Sequence, residues 1–372
     1  MVERRVAVVE LSSLNHSVMV YNWFHMCREN GWQFKLFTTK EIFNVVCEDI
    51  DLRESEVFIF ERMSYFEFYR ASKSLSLFDV AILTSLQSYF FHYLVLLLSK
   101  VKFVVTIHNL NAWFSIGSQV TFRGRVKAVI RSAWKKRSSA YVVNSQNMFD
   151  YASFNQFTTK NIAVIPFSLR QKSLEWLKNS DESSGFTIVY PGMVSLKRKN
   201  YDLFLRLAKD NPSINFVLLG KLVDNEGGQE VVKKIDSSGL LNVVTYDRYV
   251  SQEEFDAVMR RADLIFSSVN VDYCYDGISE KYGETKDSGI SYLMLEYALP
   301  LIVNSGFRNF KSLDGATLYY DDYDILFERI KALIKSRELY AEMQAKIVRA
   351  RDDYDLSYYA SKAELMIARC LI

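Results

Sequence analysis

The 372-residue chain predicts an α/β protein made of two Rossmann-like, doubly wound domains. Three observations carry that expectation. Short apolar runs alternate with amphipathic segments from the amino terminus onward, the order that builds parallel sheets covered by helices. The alternation pauses at a polar stretch, 177–185, and restarts at residue 186. The length suits two domains, and a content of 49% hydrophobic and 15% aromatic residues is enough for two large cores. The expected domains are 1–180 and 181–352, followed by a tail at 353–372.

The first domain opens with a buried strand at 5–11 (Arg-Val-Ala-Val-Val-Glu-Leu). The loop 12–17 contains Asn15 and His16, and a helix then runs to Asn30 and stops at Gly31. A second strand covers 33–38. Strands at 56–60, 80–84 and 102–107 follow, separated by helices ending near 77 and covering 88–99. Ligands of such sheets gather beyond the carboxyl ends of the strands. The strand 102–107 ends in Thr106-Ile107-His108-Asn109, so His108 either faces that crevice or is a satisfied structural histidine. Strands at 140–143 and 162–166 close the domain, with Asn144-Ser145 at the mouth of the first.

The second domain restarts with a strand at 186–190. The loop Pro191-Gly192-Met193-Val194-Ser195-Leu196-Lys197-Arg198-Lys199-Asn200 and a helix at 201–210 follow. Further strands are expected at 214–220, 243–247 and 262–268, with helices at 227–237 and 251–261. Ser251 with Glu254 reads as a capping box. The segment 269–287 reads as a long binding loop rich in Tyr and Asp. Helices at 323–336, 337–351 and 357–369 end the chain.

The stretch 284–304 reads as loop, helix and strand. Ser288-Gly289 opens the helix, and Leu293, Met294, Tyr297 and Ala298 recur at helical spacing before Pro300 stops it. A helix amino terminus presents unpaired N–H groups and partial positive charge, a natural anion seat. Lys286 stands just before it, and Glu296 lies two turns in, where a carboxylate can accept bonds from sugar hydroxyls. The stretch is either the phosphate and ribose end of a nucleotide-sugar site or an ordinary capped strand–helix–strand unit.

Net charge is +2, but its distribution is uneven: residues 1–185 carry 22 basic and 16 acidic side chains, and 186–372 carry 24 and 28. No Asp or Glu occurs from 80 to 149, against nine Lys and Arg. One half is therefore expected to face an anionic partner. Within 119–137, Arg123, Lys127, Arg131 and Lys135 recur every fourth residue, beside Val126, Ile130 and Trp134. This is an amphipathic basic helix suited to an anionic membrane surface, or else a solvated helix packed on the sheet by its apolar side. No nucleic-acid motif accompanies the charge. The four cysteines have no metal-ligand spacing, no segment reads as a signal peptide, and the longest apolar run, 89–98, is too short to span a bilayer. The expected location is the cytoplasm, peripheral on the inner face of the membrane.

Several segments together resemble the GT-B glycosyltransferases, and more narrowly glycosyltransferase family 4. They are Val189-Tyr190-Pro191-Gly192 with Arg198-Lys199-Asn200, Phe216-Val217-Leu218-Leu219-Gly220, and Ala262-Asp263-Leu264-Ile265-Phe266-Ser267-Ser268. The family's Glu-x7-Glu signature is matched at its end by Glu296, Ala298 and Pro300. In the first half, Val104-Val105-Thr106-Ile107-His108, Val142-Val143-Asn144-Ser145 and Val164-Ile165-Pro166 fit the pattern. The chain departs from it at Ser288, which stands where the first Glu is usual, and at Met193, which replaces a basic residue.

The resemblance implies two domains facing a cleft, with the C-terminal helices packing back toward the first. It implies a retaining hexosyl transfer from a UDP- or GDP-linked sugar to a lipid-linked or polysaccharide acceptor, in cell-surface glycan biosynthesis. Neither cofactor nor metal is required. Lys199, Arg198 and the Ser288, Gly289 and Ile290 amides would neutralise the leaving diphosphate, with Lys286 and Asp287 beside them. Gly192 and Gly220 would line the nucleotide, Tyr249 the base and Glu296 the ribose, while His108 would touch the donor sugar or its phosphate. Asn15, His16, Arg123, Lys127, Arg131 and Trp134 would face the acceptor and membrane. A nucleotide-sugar epimerase and a non-catalytic glycosyltransferase-like subunit are the alternatives.

Overall fold

A computed structural model of the chain describes residues 3–86, 88–114, 122–173, 175, 185–197, 199–275 and 277–372. The side chains of Phe122, Arg123 and Tyr275 lie outside what is described, as do Arg198 and nearly all of the linker expected at 177–185. The chain divides into two compact units. The first is Met1–Arg170 with Cys274–Asp287 and Tyr354–Ile372; the second is Gln171–Tyr273 with Ser288–Asp353. These bounds fall at 170/171 and 353/354 where 180/181 and 352/353 were expected, and a short piece of the second half, Cys274–Asp287, belongs to the first unit.

The first unit carries a parallel sheet of seven strands: β1 (Arg5–Glu10), β2 (Gln33–Thr39), β3 (Val57–Phe60), β4 (Val80–Leu83), β5 (Lys102–Ile107), β6 (Ser138–Val143) and β7 (Asn161–Val164). Their order is β3-β2-β1-β4-β5-β6-β7, so the winding reverses between β1 and β4. Alternate residues of β1 point to opposite faces, and both faces are covered. Val6 and Val8 pack against Val20 and Trp23 of the helix Ser17–Glu29 and against Ala363 and Ile367 of the last helix, Leu356–Leu371. Ala7 and Val9 belong to the opposite layer, with Phe68, Tyr93 and Trp134. The C-terminal helix thus returns to the first sheet, and the Asn30 amide donates to the Ala360 carbonyl at 2.9 Å.

The second unit repeats the scheme with β8 (Thr187–Pro191), β9 (Asn215–Lys221), β10 (Val243–Tyr246) and β11 (Leu264–Ser267). After a hairpin, β12 (Asp272–Tyr275) and β13 (Ile278–Lys281), come β14 (Leu301–Asn304) and β15 (Thr317–Tyr320). The six-stranded order is β10-β9-β8-β11-β14-β15, all parallel, with the reversal between β8 and β11. The strand β15 was not expected from the sequence. Ser251 caps its helix through the Glu254 amide at 3.2 Å, but the Glu254 carboxylate does not complete a capping box; it pairs with Arg248 at 2.7 Å.

Two expectations are corrected. The segment 269–287 is not one long loop, because β12 and β13 form a two-stranded sheet, with Gly277 at φ +83° ahead of β13. Of the basic stripe, Lys127, Arg131 and Lys135 do not face outward either. Lys127 and Arg131 are only 8% and 6% exposed, and Trp134 is buried edge-on to Phe103 at 5.0 Å. Arg131 donates to the Ala112 carbonyl at 2.6 Å and Lys135 to the Phe114 carbonyl at 3.2 Å. Both carbonyls belong to the short helix Leu110–Phe114, whose last turn lacks intrahelical donors. The cations turn inward to supply them, and burial together with Arg131 pushes the Lys135 ammonium down to about 8. Among the described residues no helix is long and apolar enough to cross a membrane.

Candidate functional site

In doubly wound sheets, ligands bind where the strand order reverses, beyond the carboxyl ends. Each unit has one such point. In the second unit it lies at the ends of β8 and β11. Gly192 follows β8 at φ +87°, a left-handed conformation that suits glycine. Gly220, within β9, is required for a different reason: a Cβ there would stand 2.6 Å from the Gly192 carbonyl carbon. The two glycines let adjacent strand ends approach closely. Lys199 bridges to Val269 just past β11 and sends its ammonium back to the Pro191 and Gly192 carbonyls at 2.8 and 3.0 Å, 4.5 Å from the Tyr190 ring centroid. The loop is pinned on both sides, by Asn200 N–H to the Ser268 carbonyl at 3.1 Å and by Leu196 N–H to the Glu226 carbonyl at 2.9 Å.

The helix Gly289–Tyr297 enters β14 from the same sheet. Ser288 caps it through the Ile290 amide at 3.4 Å, and nothing lies within 4 Å of where a Gly289 Cβ would be. Glu296, buried, stands on its last turn, about 12 Å along the axis from Ser288. The Leu295 and Glu296 carbonyls are capped by Arg351 at 2.7 and 2.8 Å. Burial lowers the Arg351 guanidinium from its usual value and attraction to Glu296 opposes the shift. Tyr249 is exposed after β10, next to the paired Arg248.

The first unit's reversal point, between β1 and β4, is occupied by side chains. Glu10 ends β1 with no solvent exposure. Its carboxylate accepts from the Ser12 and Ser13 amides at 2.7 and 3.1 Å and from the Thr84 and Ser85 hydroxyls at 2.6 and 3.3 Å. His16 Nδ1 stands 3.5 Å away. Burial by itself raises the Glu10 carboxyl; His16, Thr84 and Ser12 together outweigh it and hold it below its ordinary value. The His16 ring stacks on His108, centroids 4.5 Å apart, and meets Phe167 edge-on. Sequence reading passed over Glu10, although a carboxylate inside the run Val6 to Leu11 was the available signal.

Of the two readings of His108, the hydrogen bonds fit the satisfied histidine. Its Nε2 lies 2.7 Å from the Thr84 carbonyl, which can only accept, so Nε2 carries the proton. Nδ1 then accepts from the Asn144 amide at 3.2 Å. Burial, His16 and the Lys286 ammonium push the ring well below the ordinary imidazole value, so it is neutral. Both nitrogens have protein partners. Asn15 is exposed and spends its amide on the Ser13 hydroxyl at 3.2 Å.

Lys286 and Asp287 belong to the first unit. The Lys286 ammonium donates to Asn109 Oδ1 at 2.9 Å, next to His108 in the chain. The hairpin is held there by Glu280, 1% exposed, which accepts from the Asn111 and Ala112 amides at 3.3 and 2.7 Å. Thr285 accepts from the Lys281 amide at 2.7 Å and its carbonyl takes the Leu110 N–H. Burial raises the Glu280 carboxyl despite these bonds. Sequence reading had no signal for Glu280, whose partners lie 168 positions away. Among the described residues no group of three or more His, Cys, Asp or Glu could hold a metal ion.

By sequence, the chain matches no family model and no curated protein. Solved structures do match. Alr3699/HepE of Anabaena, in complex with UDP and glucose, superposes with a TM-score of 0.71 at 11% identity, covering 98% of this chain and 100% of its own. Sucrose-phosphate synthase of Thermosynechococcus elongatus gives 0.66 at 12%, covering 97% and 98%. UDP-GlcNAc 2-epimerase of Neisseria meningitidis, bound to UDP-GlcNAc, gives 0.61 at 14%, covering 98% and 99%. At these identities the likeness shows the fold: two parallel-sheet, Rossmann-like domains of the kind found in GT-B glycosyltransferases.

Proposed function

We propose that this chain is a glycosyltransferase that takes its sugar from a nucleoside diphosphate sugar and passes it to a glycan or lipid-linked acceptor in building a cell-surface glycan. The observation that supports this best is the second unit's reversal point. There a glycine-built loop, the Lys199 ammonium and the open backbone at Gly289, at the start of a helix, offer positive charge from backbone and one side chain. In the transfer, the bond between the anomeric carbon and the diphosphate oxygen breaks. The acceptor oxygen bonds to that carbon and loses its proton, and the departing diphosphate gathers negative charge. Lys199, with Arg198 beside it in sequence, exchanges its carbonyl partners for phosphate oxygens, which bind an ammonium more strongly. Glu296 suits the ribose hydroxyls, about one helix length from the phosphate end, and the backbone around Tyr249 suits the base. HepE, solved with UDP, supports a uridine donor.

On the first unit, we assign His16 to meet an acceptor hydroxyl. Its side chain is 12% exposed, and Glu10 orients it from behind. Glu10 itself is surrounded by donors and is poorly disposed to act as a nucleophile, which suits a retaining transfer without a covalent intermediate. Epimerisation of a nucleotide sugar is the second reading. It is favoured by the likeness to the epimerase and by the Glu10–His16 pair, a carboxylate–imidazole couple of the sort proton abstraction uses. Titration with UDP, GDP and dTDP, followed by NMR of the products from the matching sugars, tests both. Micromolar binding of one nucleotide with transfer and a retained anomer supports the proposal. An epimer with no acceptor consumed supports the second reading. Absence of any nucleotide binding removes both.

A further inference from the structure

Three helices of the first unit, Tyr65–Leu75, Phe90–Leu96 and Phe122–Arg137, lie side by side on one face of the sheet. Their inner sides fill the core with Phe68, Tyr93 and Trp134. Their outer sides are unusually apolar for a surface. Phe66 is 68% exposed, Phe91 56% and Val129 71%, with Tyr65, Tyr69 and Tyr89 also exposed. The rings form a patch: Tyr65 stacks on His92 at 4.0 Å, and Tyr89 meets the same His92 edge-on at 6.0 Å. Beside them, between the second and third helices, lies a cavity of about 310 Å³ with mainly apolar walls, formed by Phe90, Phe91, Val126 and Ile130 among others.

The charges on this face have one sign. Among the described residues, every exposed charged side chain on the three helices is basic: Arg70, Lys73, Arg125 and Lys136. The single acid there, Glu67, is turned back to accept from the amides of Glu61, Arg62 and Ser64 at the helix start. A second copy of the chain seated on this face would set basic groups against basic groups. Aromatic side chains interleaved with cations match instead the boundary of an anionic bilayer, where rings lie at the headgroup level and cations are drawn to the surface potential.

We propose that this aromatic and basic face docks on an anionic lipid surface, with its exposed rings entering the headgroup layer and a hydrocarbon segment reaching the cavity. The exposed rings and cations are different residues from the inward-turned Lys127 and Arg131, although Lys127 also lines the cavity, and the proposal does not depend on the glycosyl-transfer reading. The full chain is sedimented with phosphatidylcholine vesicles, with and without phosphatidylglycerol. The wild type is expected to partition onto the anionic vesicles about tenfold better than onto neutral ones, and less so at high salt. Phe66→Ser with Phe91→Ser, and separately Arg70→Glu with Lys73→Glu, are each expected to reduce that partition about tenfold while the thermal melt is kept. Lys335→Glu, on an exposed helix of the second unit, should leave it unchanged. The proposal is overturned if the wild type stays in the supernatant or if the charge-reversed variant binds as well as wild type. A dimer that the Phe66→Ser, Phe91→Ser variant converts to monomer would also overturn it and assign the face to a second copy.

Discussion

The two reversal points of this molecule share a topology and differ in material. In the first unit the point is filled by side chains that satisfy one another: Glu10 gathers amides and hydroxyls, and His108 is locked neutral between Thr84 and Asn144. In the second unit it is made of backbone, two glycines and one ammonium resting on two neutral carbonyls. A closed network of charged and polar groups rigidifies a site, and removing one member strands the others. An ammonium on carbonyls can change partners when an anion arrives. The first point is tied together by its own side chains, and the second offers an ammonium and backbone groups whose partners can change.

Removing a member of the closed network should have the largest effect. Glu10→Ala is expected to destabilise the chain by about 3–5 kcal/mol, because several buried donors lose one charged acceptor at once. Urea unfolding measures it, and a loss under about 1 kcal/mol would mean that the network is not closed in solution. At the other point, Lys199→Met should leave stability nearly unchanged while slowing sugar transfer about 10²–10³-fold, near 3–4 kcal/mol of lost stabilisation of the departing diphosphate. Equal effects on folding would erase the contrast between the two regions.

Arg131→Ala should cost about 1–3 kcal/mol by leaving the Ala112 carbonyl buried without this donor. A thermal melt reads it, and a neutral result would return the basic stripe to the solvent. The smallest effect concerns pH. The folded His108 titrates well below its unfolded value of about 6.5. Its contribution is therefore fully present above about pH 6.5 and is lost progressively as pH falls below it, by at most about 1.4 kcal/mol per pH unit. His108→Gln should flatten that part of the stability–pH curve; an unchanged slope would assign it to other groups.

Much of the fold was legible. The strand 102–107 and the three C-terminal helices stand within two residues of expectation because each is an apolar run or stripe bounded by its own caps and breakers. Gly192 and Gly220 were also legible, since a strand ending in glycine announces close backbone approach. The hairpin could have been read from Asp276-Gly277 but was passed over within a segment taken as one loop. The basic stripe misled for a general reason. Cations four residues apart share a helix face, yet periodicity does not say what that face meets. Here it meets the carbonyl end of Leu110–Phe114.

By itself, then, the amino-acid order determined the two doubly wound sheets, their caps and the glycine-built loop at Gly192, because these follow from interactions between near neighbours in sequence. The tertiary structure alone decided that Glu280 anchors its hairpin to a helix start 168 residues away, that Lys286 stands against Asn109, and that His108 is neutral. Those outcomes depend on hydrogen bonds and fields between groups far apart in the chain, whose partners are chosen only when the cores close.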